Sequence, residues 1–83
     1  MPVSEITGIV AQAKHIYDTQ LRTMLEEQYR DQYVAIEPQS GDYFLGTTLE
    51  AAVRTARQHY PERLCHTIRI GHEAAFHIGW VTQ

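Results

Sequence analysis

Residues Tyr33–Gly46 read YVAIEPQSGDYFLG, two short runs of β-branched and aromatic residues around a polar turn. In the first run Val34 and Ile36 point one way while Tyr33, Ala35 and Glu37 point the other. In the second, Tyr43 and Leu45 alternate with Phe44. Pro38 closes the first run, and Gly41 supplies a residue free to adopt a left-handed conformation. This is the chemistry of a four-residue hairpin loop built on a type I turn. Ser40-Gly41 does not form a phosphate cradle, because no helix start follows it and no lysine is near in sequence.

On the C-terminal side the period changes from two to that of a helix. TTLEAAVRTARQHYPE places Leu49, Ala52, Val53, Ala56 and Tyr60 on one face. Thr47 and Glu50 have the spacing of a capping box, and Pro61 stops the helix. Alternation returns in RLCHTIRIG, with Leu64, His66, Ile68 and Ile70 against Cys65, Thr67 and Arg69. A turn over Gly71-His72-Glu73 leads to AAFHIGW, where Phe76, Ile78 and Trp80 oppose Ala75 and His77. Two strands, a helix and two more strands follow one another, and a right-handed crossover through the helix returns the chain to the sheet.

On the N-terminal side, apolar residues recur at Ile6, Ile9, Val10, Ala13, Ile16, Tyr17, Leu21, Met24 and Leu25, the steps of an amphipathic helix. Ser4 stands at its start as a cap, and no proline interrupts Val3 to Glu37. A helix from residue 4 to about 30 is roughly 40 Å long, against about 25 Å across a compact domain of this size. It either breaks, covers the same sheet face as the second helix, or projects towards a partner. The expected fold is therefore α+β. It is one domain over residues 1–83, with a long N-terminal helix over 1–31 and a ββαββ core over 32–83. The four-stranded, mostly antiparallel sheet carries a helix on one face.

Totals narrow the function classes. A composition of 43% hydrophobic and 20% charged residues is that of an ordered globular chain. The single cysteine, Cys65, allows no internal disulfide and fits a reducing cytoplasm. MPVSEITGIVAQAK lacks the basic and apolar regions of a signal peptide, and no run is long enough to span a membrane. The net charge of −3 is spread over both halves, and Arg54 and Arg57 alone make no basic stripe, which argues against nucleic acid.

Catalytic and metal readings are weak. The five histidines lack tight ligand spacing, and His66 and His77 fall on opposite faces. Cys65 and His66, adjacent on a strand, point apart and form no nucleophile–base pair. Glu37 and Asp42 flank the hairpin turn, where they read as turn solubility. No catalytic residue, metal or cofactor is assigned. Tyr33, Phe44, Arg69 and His77 share the sheet face away from Val34 and Leu45, a set that suits a ligand or an interface unless the first helix covers it.

YVAIEPQSGDYFLGTTLEAAVRTARQHYP, followed by RIGHEAAFHIG, resembles a group of small bacterial proteins of unassigned biochemistry. Their shared pattern is YVAI, SGDY-F-G, a T-EA-A helix ending in YP, then RIG and a final H-G strand. The resemblance covers about residues 32 to 79. It implies an antitoxin-like or accessory role beside a neighbouring gene product, in some cases one similar to a retropepsin-like aspartic protease. A looser similarity to HicB-type antitoxins lacks their acidic, aromatic-rich second strand.

Together these features favour a cytoplasmic, non-enzymatic interaction module. It would bind another copy of itself, as a dimer, or another protein, through Ile9, Ile16, Leu21, Met24 and Leu25 of the first helix. The alternative is an anion binder or enzyme using Tyr33, Arg69 and His77, where Arg holds an anion and His titrates near neutrality.

Overall fold

A computed structural model describes residues 3–72 of the chain. The architecture is α+β, an antiparallel sheet of three strands among the described residues, with helices on both faces. The strands are β1 (Tyr33–Glu37), β2 (Asp42–Gly46) and β3 (His66–Arg69), in the spatial order β2-β1-β3. The expected fourth strand falls on residues outside those described.

The N-terminal helix neither breaks nor leaves the domain. It runs as α1 (Val3–Ile16), passes through a π-helical turn (Tyr17–Leu21) and continues as α2 (Arg22–Gln28). The turn follows from the spacing of the core residues. Ala13, Tyr17, Leu21 and Leu25 are all buried and recur every four residues. In a pure α-helix that spacing drifts around the axis by about 40° per step, roughly a third of a turn over the set. One wider π-turn absorbs most of the drift and keeps all four on the sheet.

Strand register explains which face each helix covers. Val34 lies opposite Leu45 and Ile68, and Ile36 opposite Tyr43 and His66. This side carries large aliphatic groups, and the N-terminal helix packs on it through Ala13, Tyr17, Leu21 and Leu25. Ala35 lies opposite Phe44 and Thr67, and this side is small enough for α3 (Leu49–His59) to approach through Ala52 and Ala56. The expectation that the first helix shares a face with the second or reaches away is therefore corrected: the two helices take opposite faces. Central strand β1 is buried from Val34 to Glu37.

Close packing of α3 depends on Gly46. A Cβ there would stand 2.4 Å from the backbone nitrogen of Ala52. Gly46 thus serves helix approach rather than the turn geometry its sequence neighbourhood suggests. The cap of α3 is Thr48, whose hydroxyl accepts from the Ala51 N–H at 3.0 Å, and not Thr47.

Candidate interaction site

The hairpin tip is held by a buried carboxylate. Glu37, at the end of β1, is fully buried and accepts from the backbone N–H groups of Gln39 (3.0 Å) and Ser40 (2.9 Å). Arg63 donates to the same carboxylate at 3.1 Å. Burial alone would push the Glu37 acid up, but the Ser40 and Gln39 hydrogen bonds and the Arg63 guanidinium outweigh it and hold it below the usual range. The reading of Glu37 as a wet turn carboxylate is corrected. The cue for it lies far along the chain, in an arginine just past the Pro61 helix stop.

Around this centre the end of α3 meets β2. Asp42 pairs across the strands with Glu37 and accepts from the Tyr60 hydroxyl. Phe44 stacks against His59 with ring centroids 4.8 Å apart and meets Tyr60 edge-on at 6.1 Å. Cys65 is buried beside Ala35, Ala52 and Ala56, and burial, reinforced by the Glu37 charge, pushes its thiol up to about 11. Such a thiol is protonated and unreactive at neutral pH.

A second polar cluster occupies the opposite end of the sheet. Asp31 has a φ of 75°, and its N–H donates to Ile70 O while the Ile70 N–H donates to Gln32 O. Two residues thus face one in a β-bulge before β1. The Asp31 carboxylate bonds the His72 ring at 2.6 Å. That hydrogen bond, with the nearby Arg69 and Arg30 charges, depresses its pKa. Arg69 sits over the Tyr33 ring at 5.7 Å. Beside this end, a cleft of about 390 Å³ lies between the π-turn and β3, lined by Tyr17, Arg22, Glu26 and His72 among others. The Tyr17 hydroxyl donates to Glu26 at 3.0 Å and accepts from the Gly71 N–H, and burial raises its pKa.

Of the sequence-derived residues, Tyr33, Phe44 and Arg69 do share a face, and Tyr33 and Arg69 are direct cross-strand partners. That face is not open: α3 lies on it, and Phe44 is half-buried beneath His59 and Tyr60. Arg69 is turned towards an aromatic ring and an acidic neighbour, an arrangement that works against holding an anion. His77 lies outside the described residues. On the helix, Leu21 and Leu25 are buried in the chain's own core, with Ile16 and Met24 packed against it. Only Ile9 stands ahead of the buried segment, half-buried on the first turns. Sequence reasoning took Glu37 for turn solubility and Tyr60 for part of the helix stripe and did not single out Arg63, because their partners are distant in the chain.

Among the described residues, the outer edge of β2 has no strand partner. Strand pairing fixes which groups it presents. Because Ile70 bonds Gln32, the even residues of β1 direct their polar groups to β3 and the odd ones to β2. Phe44 therefore bonds inwards, and Tyr43 and Leu45 aim their N–H and C=O groups outwards. No described residue pairs with that edge. It carries no lysine, proline or bulge, and its one charge is Asp42 at the hairpin end. Among the described residues no three His, Cys, Asp or Glu side chains gather as a metal site, and no helix is long and apolar enough to cross a membrane.

Comparison with protein-family models, with curated proteins and with solved structures finds no match to the chain.

Proposed function

We propose that the protein is a small non-enzymatic interaction module, antitoxin-like or accessory to another gene product, acting in the cytoplasm. One observation carries this reading: both sheet faces are filled by the chain's own helices, while β2 presents a row of half-exposed apolar residues and backbone groups that no described residue pairs. Edges of this kind bind by strand addition, with main-chain bonds giving affinity and flanking side chains giving selectivity. The N-terminal helix adds a second apolar surface at Ile9 and Val10, both half-buried ahead of the buried Ala13. Completion of the ββαββ order by a fourth strand is part of this proposal.

The anion-binding alternative has less support, since Arg69 lies over Tyr33 and beside Asp31. Affinity purification of the tagged chain from its native cell, followed by mass spectrometry, tests the main reading. A stoichiometric protein partner, or the chain recovered as its own oligomer, supports it. A chain recovered alone as a monomer overturns it.

A further inference from the structure

Resting on the interaction-module reading, we infer that the occupant of the β2 edge is the β2 edge of a second copy, paired antiparallel about a two-fold axis at Phe44. The register follows from the outward groups. With Phe44 opposite Phe44, Tyr43 of each copy faces Leu45 of the other. These are the two residues whose N–H and C=O groups point outwards, so four backbone hydrogen bonds form and none is left over. Phe44 then occupies the position without backbone bonds, where side chains approach most closely.

Charge selects the same alignment. At this register Asp42 faces Gly46 of the other copy, where no charge or Cβ opposes it. A shift of two residues towards the hairpin tip would set Tyr43 against itself and Asp42 against Phe44; a shift of four would put Asp42 opposite Asp42. Of these three pairings, only the Phe44-centred one uses every outward group and sets each acid against an uncharged, side-chain-free position. The two sheets join as one continuous sheet, and Tyr43, Phe44 and Leu45, all half-exposed in one copy, are covered in the pair. An isologous contact of this kind closes on itself and does not propagate. Five-residue strands make a small interface, below about 1,200 Å² of total buried area, so dissociation in the micromolar range is expected.

Sedimentation of the full chain from about one to several hundred micromolar is the first measurement. A reversible monomer–dimer equilibrium is expected, and Tyr43→Lys should weaken it at least about tenfold while circular dichroism stays unchanged. Oxidation of Phe44→Cys should lock the dimer covalently, since the two positions then lie within disulfide reach, and Gln39→Cys at the hairpin tip should not. The native Cys65 is buried and does not compete. Should Tyr43→Lys unfold the chain, the cross-link decides. Three results would overturn the inference: a monomer at every concentration, a dimer that Phe44→Cys fails to lock, or a monomer whose Tyr43 and Leu45 amides are protected from exchange. The last would place a segment of the same chain on the edge. A dimer locked instead through the first helix, or a monomer that captures another protein, would leave the interaction-module reading standing.

Discussion

Glu37 shows how one side chain can be satisfied by groups that no local sequence rule connects. Its carboxylate takes two backbone N–H groups from the turn it precedes and one guanidinium from beyond α3. Its folded pKa is depressed, so its stabilisation is complete above the ordinary glutamate value of about 4.3 and is lost as pH falls through the lower folded value. Urea unfolding as a function of pH should show stability falling on the acid side of that window in the native chain, and a flatter profile in Glu37→Gln. Glu37→Ala should cost about 2–4 kcal/mol, because it strands two turn N–H groups and Arg63. Arg63→Ala should cost less, about 1 kcal/mol, since that side chain is 45% exposed and the turn bonds survive. Cys65 makes the complementary case. A thiol pushed up to about 11 by burial and by the Glu37 charge should resist a thiol reagent at pH 8 in native chain and react at once in urea. Measurable native-state labelling, faster than unfolding allows, would contradict that placement.

At the scale of elements, much was legible because local rules decided it. The hairpin, with strands at Tyr33–Glu37 and Asp42–Gly46, follows from alternation plus turn chemistry, and α3 follows from its apolar stripe and the Pro61 stop. What stayed hidden depended on a neighbour in space. Gly46 looks like a turn residue until α3 is laid over it. Gly46→Ala should therefore push α3 off the sheet at a cost of about 1–3 kcal/mol or more, measured by chemical denaturation. The π-turn was written in the four-residue spacing of Ala13, Tyr17, Leu21 and Leu25, but a tolerant reading of helix periodicity passes over it. It makes a sharper claim. Deleting Gln20, an exposed residue of that turn, should restore ordinary α-helical spacing between Tyr17 and the shifted Leu21 and Leu25. Thermal stability should then change by no more than a few degrees. Deleting exposed Lys14 instead rotates Ala13 away from the rest of the stripe, and its melting temperature should fall well below that of the Gln20 deletion.

Across the whole molecule, the arrangement of layers was the step that sequence reading underdetermined. YVAIE is apolar on both sides of the strand, which is the mark of a sheet covered twice, whereas alternation alone suggested one covered face. Large side chains at Val34, Ile36, Ile68 and Ile70 demand the long helix, and small ones at Ala35 and Cys65 admit only the alanine face of α3. The molecule measures 35 × 23 × 22 Å, and residues 7–12 of the N-terminal helix are exposed or half-buried, whereas Ala13, Tyr17, Leu21 and Leu25 are buried. That division sets a gradient of energetic weight along one helix. Leu25→Ala, in the fully buried part, should cost about 3–5 kcal/mol in urea unfolding through the cavity it leaves between helix and sheet. Ile9→Ala, half-buried ahead of the core, should cost about 1 kcal/mol or less. Gly8→Ala, where a Cβ meets nothing within 4 Å, should stabilise the chain by about 1 kcal/mol through helix propensity alone. Equal losses at Ile9 and Leu25 would mean that the first turns are bound into the fold, and the apolar surface available to a partner would shrink to the edge of β2.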